Sequence, residues 1–295
     1  MLVRNEKIRT AVIPAAGAGT RFLPITRAQP KEMLPVVDKP VIQYVIEEAI
    51  ASGMDDILIV TGRGKRAIED HFDYSCEIER RLREKGNEEL LAQYEELSEL
   101  AEIHYIRQKE PRGLGDAVLL AERHCSSEPF VVLLGDTITI PLPEESPCAA
   151  QMVTAYNKYH TSVIAVEEVP RAKIKDYGII DGILMEQGIF SIKDIIEKPD
   201  PAHAPSNLGA IGRYLLESDV FDLIRKIPKG YGGEIQLTDA LRMLQAPIGL
   251  VSRCRRYDIG DKPGWMKSNI ELILNHPEFG EDMKMFLTEI LENLQ

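Results

Sequence analysis

Several common signatures are missing from this 295-residue sequence, and each absence excludes a class of protein. No run of about 18 apolar residues occurs, so we expect no membrane-spanning helix and no membrane partner. The first residues lack a long apolar segment before a small-residue cleavage site, which predicts no signal peptide. The net charge is −12, so the basic face of a nucleic-acid-coating protein is not expected either.

Cysteine is also scarce. None of the thiols forms a CxxC pair, so the sequence predicts no cysteine-based zinc site. Scattered single thiols in an acidic, enzyme-sized chain favour a reducing compartment, and we therefore expect a cytoplasmic protein. The cysteines are Cys76, Cys125, Cys148 and Cys254.

The common nucleotide-binding motifs are incomplete. The segment "GAGTRF" lacks the third glycine of a dinucleotide fingerprint and has Phe22 in its place. Asp38 lies about 20 residues further on, as a ribose-binding acid does, but it sits in the turn-like "VVDKP". The P-loop pattern GxxxxGK[ST] does not occur. A dehydrogenase of the Rossmann type and a P-loop enzyme are therefore both disfavoured.

The sequence does contain a regular alternation of short apolar runs and amphipathic stretches. We predict helices in "VIQYVIEEAIASG", "KRAIEDHF" and "LGDAVLLAERH", and strands in "TAVIPA", "DILIV", "IHYIRQ" and "FVVLLGD". A βαβ series of this kind predicts parallel strands with right-handed crossovers. Ligands of such sheets bind at the carboxyl ends of the strands.

The remaining segments complete one mixed α/β domain over residues 1–295. The charged stretch at about 77–102 predicts a solvated helical hairpin that breaks at Gly86. After Ser162 the pattern becomes mixed, with predicted strands in "SVIAVEEV", "GIFSIKDIIEKP" and "NLGAIGRYLL". A helical C-terminal segment is expected at about 264–295.

The segment after the first predicted strand, "VIPAAGAGTRFLPITRAQPKEMLPVVDKP", combines glycines with cations. Gly17 and Gly19 can adopt positive φ, so backbone N–H groups can approach a phosphate closely. Arg21 can grip a phosphate with its planar fork, and Lys31 can act as a movable point charge. The alternative is an ordinary surface turn with solvated cations.

Two aspartates strengthen the phosphate hypothesis. Asp136 ends the apolar run "VVLLGD", and Asp258 follows another predicted strand in "RRYDIGD". Two carboxylates from separate strands suit Mg²⁺, which proteins hold through one or two carboxylates together with phosphate oxygens and water. Glu197 and Lys198 end a third strand in "IIEKP", either as a surface ion pair or with the lysine as a second phosphate clamp.

At these residues the chain resembles the sugar-nucleotidyltransferase family, in particular its bacterial-type UTP–glucose-1-phosphate uridylyltransferases. The matching blocks extend from Ala11 to about Gly264, and their number and order argue strongly against a resemblance by chance. They include "VIPAAGAGTRFLP", "QPKEMLPVVDKPVIQYV", "ILIVTGRGKRAIEDHFD", "IHYIRQKEPRGLGDAV", "VVLLGD", "IIEKP", "GGEIQLTDAL" and "YDIGDKPG".

The resemblance implies a doubly wound, mostly parallel α/β sheet, and it implies a role for each matching residue. The implied catalytic clamps are Arg21 and Lys31 on the triphosphate and Lys198 on the sugar phosphate. The implied nucleotide contacts are Ala16, Gly17 and Gly19 for the backbone cradle, and Gln108 and Gly113 for the uracil. The implied sugar-binding positions are Thr137, Gly178, Glu197 and Ala210, the implied Mg²⁺ ligands are Asp136 and Asp258, and Glu234 lies in a family block.

The implied reaction is the transfer of UMP from UTP to glucose 1-phosphate, which gives UDP-glucose and pyrophosphate. A phosphate monoester is already anionic near neutral pH, because its second pKa is about 6, so no general base is required. UTP and glucose 1-phosphate are the expected partners, Mg²⁺ the expected cofactor, and a homo-oligomer, dimer or tetramer, the expected assembly.

Three positions depart from the family pattern. Thr137 replaces the second aspartate of "GDD", Ala210 replaces a larger aliphatic residue, and Asp116 replaces the histidine of "GLGHAV". Thr137 and Ala210 put the sugar preference in doubt, and Asp116 is either a charge near the nucleotide or a helix N-terminal acid. Two alternatives therefore stay open: a weakly active or regulatory paralogue, and an enzyme for dTTP or another hexose 1-phosphate.

Overall fold

The structure is a computed structural model that describes residues 7–293, apart from the side chain of Tyr231. Residues 1–6 and 294–295, which belong to the predicted domain and its C-terminal segment, lie outside the described residues. The strands are β1 (Thr10–Pro14), β2 (Pro35–Val36), β3 (Lys39–Pro40), β4 (Asp56–Thr61), β5 (Glu102–Arg107), β6 (Phe130–Leu133), β7 (Thr137–Pro141), β8 (Val163–Glu168), β9 (Gly178–Glu186), β10 (Ile189–Glu197), β11 (Leu208–Leu216), β12 (Ile248–Val251) and β13 (Cys254–Asp258).

Helices occupy most of the intervening segments. Short 3-10 turns occur at Thr20–Phe22, Ile25–Arg27, Lys31–Met33, Arg171–Asp176 and Tyr231–Gly233. The α-helices are α1 (Val41–Ala51), α2 (Arg66–Phe72), α3 (Cys76–Lys85), α4 (Glu88–Ser98), α5 (Leu114–Leu119), α6 (Glu122–Cys125), α7 (Cys148–Tyr159), α8 (Val220–Lys226), α9 (Leu237–Leu241), α10 (Lys262–Leu274) and α11 (Gly280–Asn293).

One large sheet runs through the molecule in the strand order β5-β4-β1-β6-β11-β8-β12-β10-β9. In its first part, β4 lies between β5 and β1, β6 lies next to β1, and all these neighbours are parallel. This is the arrangement that the βαβ pattern predicted. Because the strands are parallel, their carboxyl ends meet at one edge of the sheet.

Helices cover both faces of this parallel part, since alternate side chains of each strand point to opposite faces. Ile13 and Ile59 belong to an apolar cluster that includes residues of α1, α2 and α7. Val12 and Val60 belong to a second cluster that includes residues of α5, α8 and α9. Burial on both faces explains why β1 and β4 read as continuous apolar runs rather than as alternating ones.

The rest of the sheet departs from the predicted mostly parallel arrangement. β11 is antiparallel to both β6 and β8, and β10 is antiparallel to both β12 and β9. β8 and β12 are parallel, and β9 returns to pair with β11 at Gly209 and Ile179, which closes this part into a ring. The fold is therefore mixed α/β, and the doubly wound parallel description applies only to the β5-β4-β1-β6 part. Apolar runs in the sequence predict strands but not their direction.

Two helical segments lie where the sequence places helices. α3 and α4 follow one another around Gly86, which ends α3 with a left-handed φ of 65°. Such a conformation is unstrained only for glycine, so this residue provides the break between the two helices. α10 and α11 form the C-terminal part of the described chain. Within residues 7–293, no helix combines the length and the apolar character that crossing a bilayer requires.

Candidate active site

A cavity of about 520 Å³ opens at the carboxyl ends of β1, β5 and β6. The loop that follows β1 forms one wall, Gln108 directly after β5 forms another, and Asp136 follows β6. A smaller cavity of about 310 Å³ shares the loop and Gln108 with it. The residues proposed from the sequence that line the larger cavity are Ala16, Gly17, Gly19, Lys31, Gln108, Gly113, Asp136 and Glu234.

Lys31 and Asp136 form the central ion pair of this cavity. Lys31 Nζ donates to Asp136 Oδ2 at 2.5 Å, and the two side chains are 21% and 25% exposed. Burial lowers the pKa of Lys31, but the carboxylates of Asp136 and Glu32 outweigh burial and hold that pKa above its ordinary value. Burial likewise raises the pKa of Asp136, but Lys31 outweighs it and brings that pKa below the ordinary value. Both groups are therefore charged at neutral pH.

A second, more deeply buried ion pair lies beside the first. Lys65 Nζ donates to Glu32 Oε2 at 2.6 Å, and the side chains are 6% and 1% exposed. Glu32 and Lys31 belong to one 3-10 turn, so the Lys65 contact fixes the turn that carries Lys31. An ion pair this deeply buried is costly to break, because either partner alone leaves an uncompensated charge.

The glycine loop approaches Lys31 closely. A methyl group at Gly17 would lie 3.8 Å from Lys31 Nζ, so the absence of a side chain leaves this ammonium accessible. Gly19 has a left-handed φ of 65°, and its carbonyl oxygen accepts a 2.7 Å hydrogen bond from Thr26 Oγ1. The loop can therefore present backbone N–H groups and the Lys31 charge to one anionic ligand.

The opposite wall of the cavity is built around the buried Gln108 amide. Gln108 Nε2 donates to Asp116 Oδ2 at 2.7 Å and to the Gly113 carbonyl oxygen at 3.3 Å. A carboxylate only accepts hydrogen bonds, so Asp116 fixes which end of the amide is the nitrogen. Arg112 in turn lies 3.0 Å from the other oxygen of Asp116. The amide nitrogen is thus engaged within the protein, whereas no side chain or backbone group of the described residues donates to the carbonyl Oε1, which is therefore open to a ligand.

Gly113 itself is fixed by the backbone of a distant segment. Its φ is 112°, and a Cβ there would lie 2.6 Å from the Ile235 carbonyl oxygen. That oxygen accepts from the Gly115 N–H at 2.8 Å, and the Ile235 N–H donates to the Arg112 carbonyl oxygen at 2.7 Å. Only glycine satisfies both the conformation and the contact, and the pairing also places Glu234 at the cavity wall.

The second predicted metal ligand reaches the neighbourhood of Asp136 through a small separate sheet. β7 and β13 pair antiparallel, with Asp258 opposite Thr137, and the Ile259 N–H donates to the Asp136 carbonyl oxygen at 3.1 Å. Asp258 is half exposed and lies 3.3 Å from Arg256 Nη1. A Cβ at Gly260 would lie 2.8 Å from Asp258 Oδ1 and 3.6 Å from Arg21 Nη1. Arg21 is therefore on the Asp258 side of the site and is exposed.

The predicted sugar-binding residues form a separate cluster at the paired ends of β9 and β10. Gly178 and Glu197 are register partners, and Glu197 Oε2 accepts a 2.6 Å hydrogen bond from Thr238 Oγ1. Lys198 Nζ lies 3.4 Å from Glu197 Oε1, and its backbone has a φ of 47°. This left-handed conformation is uncommon for a residue with a side chain, and such conformations concentrate at functional sites.

Thr137 and Ala210 are not among the residues that line the two cavities. Thr137 is 6% exposed, and its carbonyl oxygen accepts from Arg213. Ala210 lies on β11, where it pairs with Val166 and packs against the second apolar cluster. The structure thus brings the proposed nucleotide-binding residues together at one place and the proposed sugar-binding residues of β9 and β10 at another. Thr137 and Ala210, which depart from the family pattern, lie instead within the strands β7 and β11.

A family comparison decides the class of this molecule. The family model described as nucleotidyl transferase matches residues 10–266 of the chain. This chain belongs to the nucleotidyl transferase family. A UTP–glucose-1-phosphate uridylyltransferase of Bacillus subtilis, YngB, is 49% identical over 98% of this chain and 97% of its own length. A putative UTP–glucose-1-phosphate uridylyltransferase of Methanocaldococcus jannaschii is also 49% identical, over 97% of this chain and 100% of its own.

Solved structures of the family agree with the architecture. A UDP-glucose pyrophosphorylase complexed with UDP-glucose has a TM-score of 0.83 and 40% identity, and the match covers 91% of this chain and 100% of that one. A UTP-bound enzyme from Acinetobacter baumannii has a TM-score of 0.89 and 36% identity, over 96% and 99% of the two chains. Members of the nucleotidyl transferase family generally use a divalent metal ion.

Sequence reasoning missed two residues that support this site, Arg213 and Thr238. Arg213 is fully buried, and it donates to Glu48 at 2.7 Å and to the carbonyl oxygens of Leu134 and Thr137 at 3.3 and 2.8 Å. It thereby holds both ends of the turn that carries Asp136. One signal was available, because a lone arginine inside the apolar strand "NLGAIGRYLL" is a buried-charge pattern. For Thr238 no such signal exists, because a threonine near the start of a helix is usually an ordinary capping or surface residue.

Proposed function

We propose that this protein transfers UMP from UTP to glucose 1-phosphate and produces UDP-glucose and pyrophosphate. The observation that carries this function is the 49% identity, over nearly the whole chain, with the Bacillus subtilis UTP–glucose-1-phosphate uridylyltransferase YngB. An oxygen of glucose 1-phosphate attacks the α-phosphorus of UTP, the bond between that phosphorus and the bridging oxygen breaks, and pyrophosphate leaves. The nucleophile is anionic near neutral pH, so no side chain has to remove a proton.

The main task of the site is to bring two anions together. Lys31, at the cavity wall, neutralises charge on the UTP triphosphate, and Arg21 acts on the same groups from the Asp258 side. Lys198, at the end of β10, holds the phosphate of the sugar substrate. The fixed positions of Lys31 and the glycine loop hold the triphosphate for in-line attack, and this positioning supplies part of the rate enhancement.

The carboxylates of Asp136 and Asp258 are proposed to hold Mg²⁺. Both offer hard oxygen ligands, they come from segments joined by the β7–β13 pairing, and each retains lone pairs beyond its present contacts. When bound there, the ion neutralises charge on the phosphate oxygens. Lys31 and Asp136 are close enough that the ammonium has to share or release this carboxylate in the loaded enzyme.

Base and sugar recognition are proposed to be separate. The free Gln108 carbonyl oxygen accepts from the N3–H of uracil, which cytosine lacks, and Gly113 lets the base approach the backbone. Gly178 and Glu197 contact the hydroxyl groups of the sugar, with Glu197 oriented by Thr238. Thr137 and Ala210 act on sugar preference from positions behind this surface.

The assembly and setting of the protein are further proposals. Met285, Phe286 and Leu291 of α11 are all more than half exposed, which supports a homo-oligomer, dimer or tetramer, with an apolar contact at the C-terminal helices. The large sheet, whose nine strands come from positions between Thr10 and Val251, supports a single domain. A reducing cytoplasm remains the expected setting because the four thiols are free.

One assay tests the proposed reaction. Purified protein with Mg²⁺ is offered each of UTP, dTTP, CTP and ATP with glucose 1-phosphate or galactose 1-phosphate, and pyrophosphate release is measured. The highest kcat/KM is expected for UTP with glucose 1-phosphate. A higher value for dTTP, or binding of UDP-glucose without turnover of any pair, would replace the proposed function with one of its alternatives.

A further inference from the structure

A second cluster of side chains that could bind a metal ion lies near the amino ends of the parallel strands, at the opposite end of these strands from the active site. Asp56 begins β4, His104 lies within β5, and His124 belongs to α6, which precedes β6. The active-site residues follow the carboxyl ends of these parallel strands, whereas Asp56 stands at an amino end. The cluster is therefore separate from the proposed catalytic centre, and no step of the proposed reaction uses it.

The three side chains converge on one point. Both imidazoles direct Nε2 towards the same carboxylate oxygen, Asp56 Oδ1, at 2.8 Å for His124 and 3.7 Å for His104. One ligand atom from each residue lies within 4.8 Å of the other two. Ligand atoms about 2.0–2.1 Å from a tetrahedral ion lie roughly 3.4 Å apart, so the two observed separations bracket the value that such an ion requires.

The carboxylate is oriented for this role by a buried hydroxyl group. Thr10 Oγ1 donates to Asp56 Oδ2 at 3.0 Å, which leaves Oδ1 facing the two imidazoles. Thr10 is 7% exposed and lies on β1, beside β4, so its position is set by the sheet. Partners that fix a ligating carboxylate in this way are typical of metal sites.

The two imidazoles also lie against each other. The ring centroids of His104 and His124 are 4.9 Å apart with the rings tilted by 59°. A fourth ligand atom is within reach, because Glu102 Oε1 lies 3.5 Å from His104 Nε2 and Glu102 is the register partner of Asp56. The side chain of His104 is 44% exposed, so an ion can enter from solvent.

From this convergence we infer that Asp56, His104 and His124 form a binding site for a divalent transition-metal ion of the zinc class, with Glu102 or water as the fourth ligand. Imidazole nitrogen suits Zn²⁺, Cu²⁺ and Ni²⁺, whereas Mg²⁺ prefers oxygen ligands and keeps its water. The site thus selects a different ion from the Asp136–Asp258 centre. Because its ligands come from β4, β5 and α6, the bound ion links the edge strand β5 to β4 and to the helix that precedes β6.

The inference is tested on the whole protein, stripped with EDTA and then dialysed against buffered free Zn²⁺ in the presence of excess Mg²⁺. Bound zinc per chain is measured for the parent, for His104→Ala and His124→Ala, and for His203→Ala as a control at an exposed histidine outside the cluster. Removal of one ligand should weaken zinc binding by at least about tenfold. His203→Ala should bind zinc as the parent does.

Two further measurements separate this site from the active site and from misfolding. Asp136→Asn should retain the zinc affinity of the parent, and Zn²⁺ should raise the melting temperature of the parent but not of His104→Ala. In EDTA, His104→Ala should melt at the same temperature as the parent, because its side chain is partly exposed. Equal zinc affinity in His104→Ala and His203→Ala would overturn the inference, and so would loss of the zinc in Asp136→Asn.

Discussion

The proposed nucleotide end and the proposed sugar end of the site differ in how deeply their side chains are buried. At the nucleotide end, Gln108 and Asp116 are buried and hydrogen-bonded at 2.7 Å. At the sugar end, Lys198 and Glu197 are 29% and 17% exposed and lie 3.4 Å apart, and Glu197 also accepts a 2.6 Å hydrogen bond from Thr238. Fixed polar groups reject a ligand that leaves them unpaired, whereas adjustable groups can accommodate related ligands. We therefore expect strict base selection and looser sugar selection.

This difference in burial corresponds to the two parts of the large sheet. The nucleotide end is built on parallel strands with helices on both faces, and the sugar end on antiparallel strands of the ring. The two parts meet at β6 and β11, and Arg213 of β11 joins them through its buried contact with Glu48 of α1. A substitution at this junction should affect both ends of the site.

The largest expected effect is therefore on stability. Arg213→Met leaves the Glu48 carboxylate buried without its partner, which should cost about 3–5 kcal/mol of unfolding free energy. Glu48→Met should cost a similar amount, because it leaves the guanidinium unpaired. Chemical denaturation of both variants and of the double variant measures the coupling.

The double variant provides the control. Replacement of both charges by methionine removes the unpaired charge, so its cost should be clearly less than the sum of the single costs. Strict additivity would show that the ion pair does not join the two parts energetically. The exposed pair Lys158–Glu186 offers a comparison in which each single change should have little effect on stability, because solvent screens both charges.

Whether a feature of the fold or site could be predicted from the sequence depends on how far apart its interacting residues lie along the chain. The four parallel strands β1, β4, β5 and β6 follow from local periodicity, whereas the short strands β2 and β3 and the division of "LGDAVLLAERH" into α5 and α6 do not. Asp136 could be placed at a strand end because "VVLLGD" is a short apolar run. The pairing of β7 with β13 joins residues more than 110 positions apart, and no local pattern encodes it. Local patterns also do not predict the hydrogen bond from Thr238 to Glu197 or the close approach of Gly113 to Ile235. The sequence suggests candidate residues, but long-range pairing decides which of them meet.

The second prediction concerns the metal ion at the nucleotide end. Asp136→Asn keeps the size of the side chain but removes its charge, so kcat should fall by about a hundredfold, or ~2.7 kcal/mol in the barrier. Excess EDTA should abolish turnover of the parent, and added Mg²⁺ should restore it. Asp258→Asn should also lower kcat, by at least about tenfold.

Asp73→Asn, at an exposed aspartate beyond α2, is the matched control and should leave kcat unchanged. The Asp136 carboxylate also contributes to stability, because its pKa is depressed in the folded state. That contribution should be present at neutral pH and should be lost as the pH falls through the depressed value. Full activity of Asp136→Asn, or of the parent in EDTA, would contradict the metal assignment.

The third prediction separates the two ends by substrate. Lys31→Ala removes a charge-assisted contact to the triphosphate and should lower kcat/KM for UTP by about thirtyfold, or ~2 kcal/mol. Lys198→Ala should instead act mainly on glucose 1-phosphate. Steady-state kinetics with each substrate varied in turn measures the split, and Lys193→Ala, at an exposed lysine of β10, serves as the control. If both variants affect the two substrates equally, the roles assigned to Lys31 and Lys198 are wrong.

The fourth prediction tests whether the base is read by a fixed amide. Gln108→Leu removes the acceptor and should reduce the preference for UTP over CTP by about tenfold, since an unpaired polar group costs ~1–3 kcal/mol. Asp116→Asn keeps Gln108 but no longer dictates the orientation of its amide, so it should reduce the same preference by a smaller factor. Competition between UTP and CTP in one reaction measures both ratios. An unchanged ratio in Gln108→Leu would show that the base is read elsewhere.

The smallest effect is expected at Thr137, which tests the looser selection at the sugar end. An aspartate offers a charged acceptor in place of a neutral hydroxyl, and charge-assisted hydrogen bonds are about twice as strong as neutral ones. Thr137→Asp should therefore raise kcat/KM for glucose 1-phosphate by about threefold and leave the UTP dependence nearly unchanged. Thr137 is 6% exposed and lies next to Asp136 and opposite Asp258, so the new charge also competes with both carboxylates for the metal ion.

Thr137→Asn resolves this competition, because it has the size of aspartate without its charge. If the charge contacts the sugar, the ratio of kcat/KM for glucose 1-phosphate to that for galactose 1-phosphate should rise in Thr137→Asp and not in Thr137→Asn. If the charge instead captures the metal ion, kcat should fall with both sugars and recover at higher Mg²⁺ concentration. A ratio that stays constant in both variants would place Thr137 outside the sugar contact, and sugar selection would then rest on Glu197 and its hydrogen bond to Thr238.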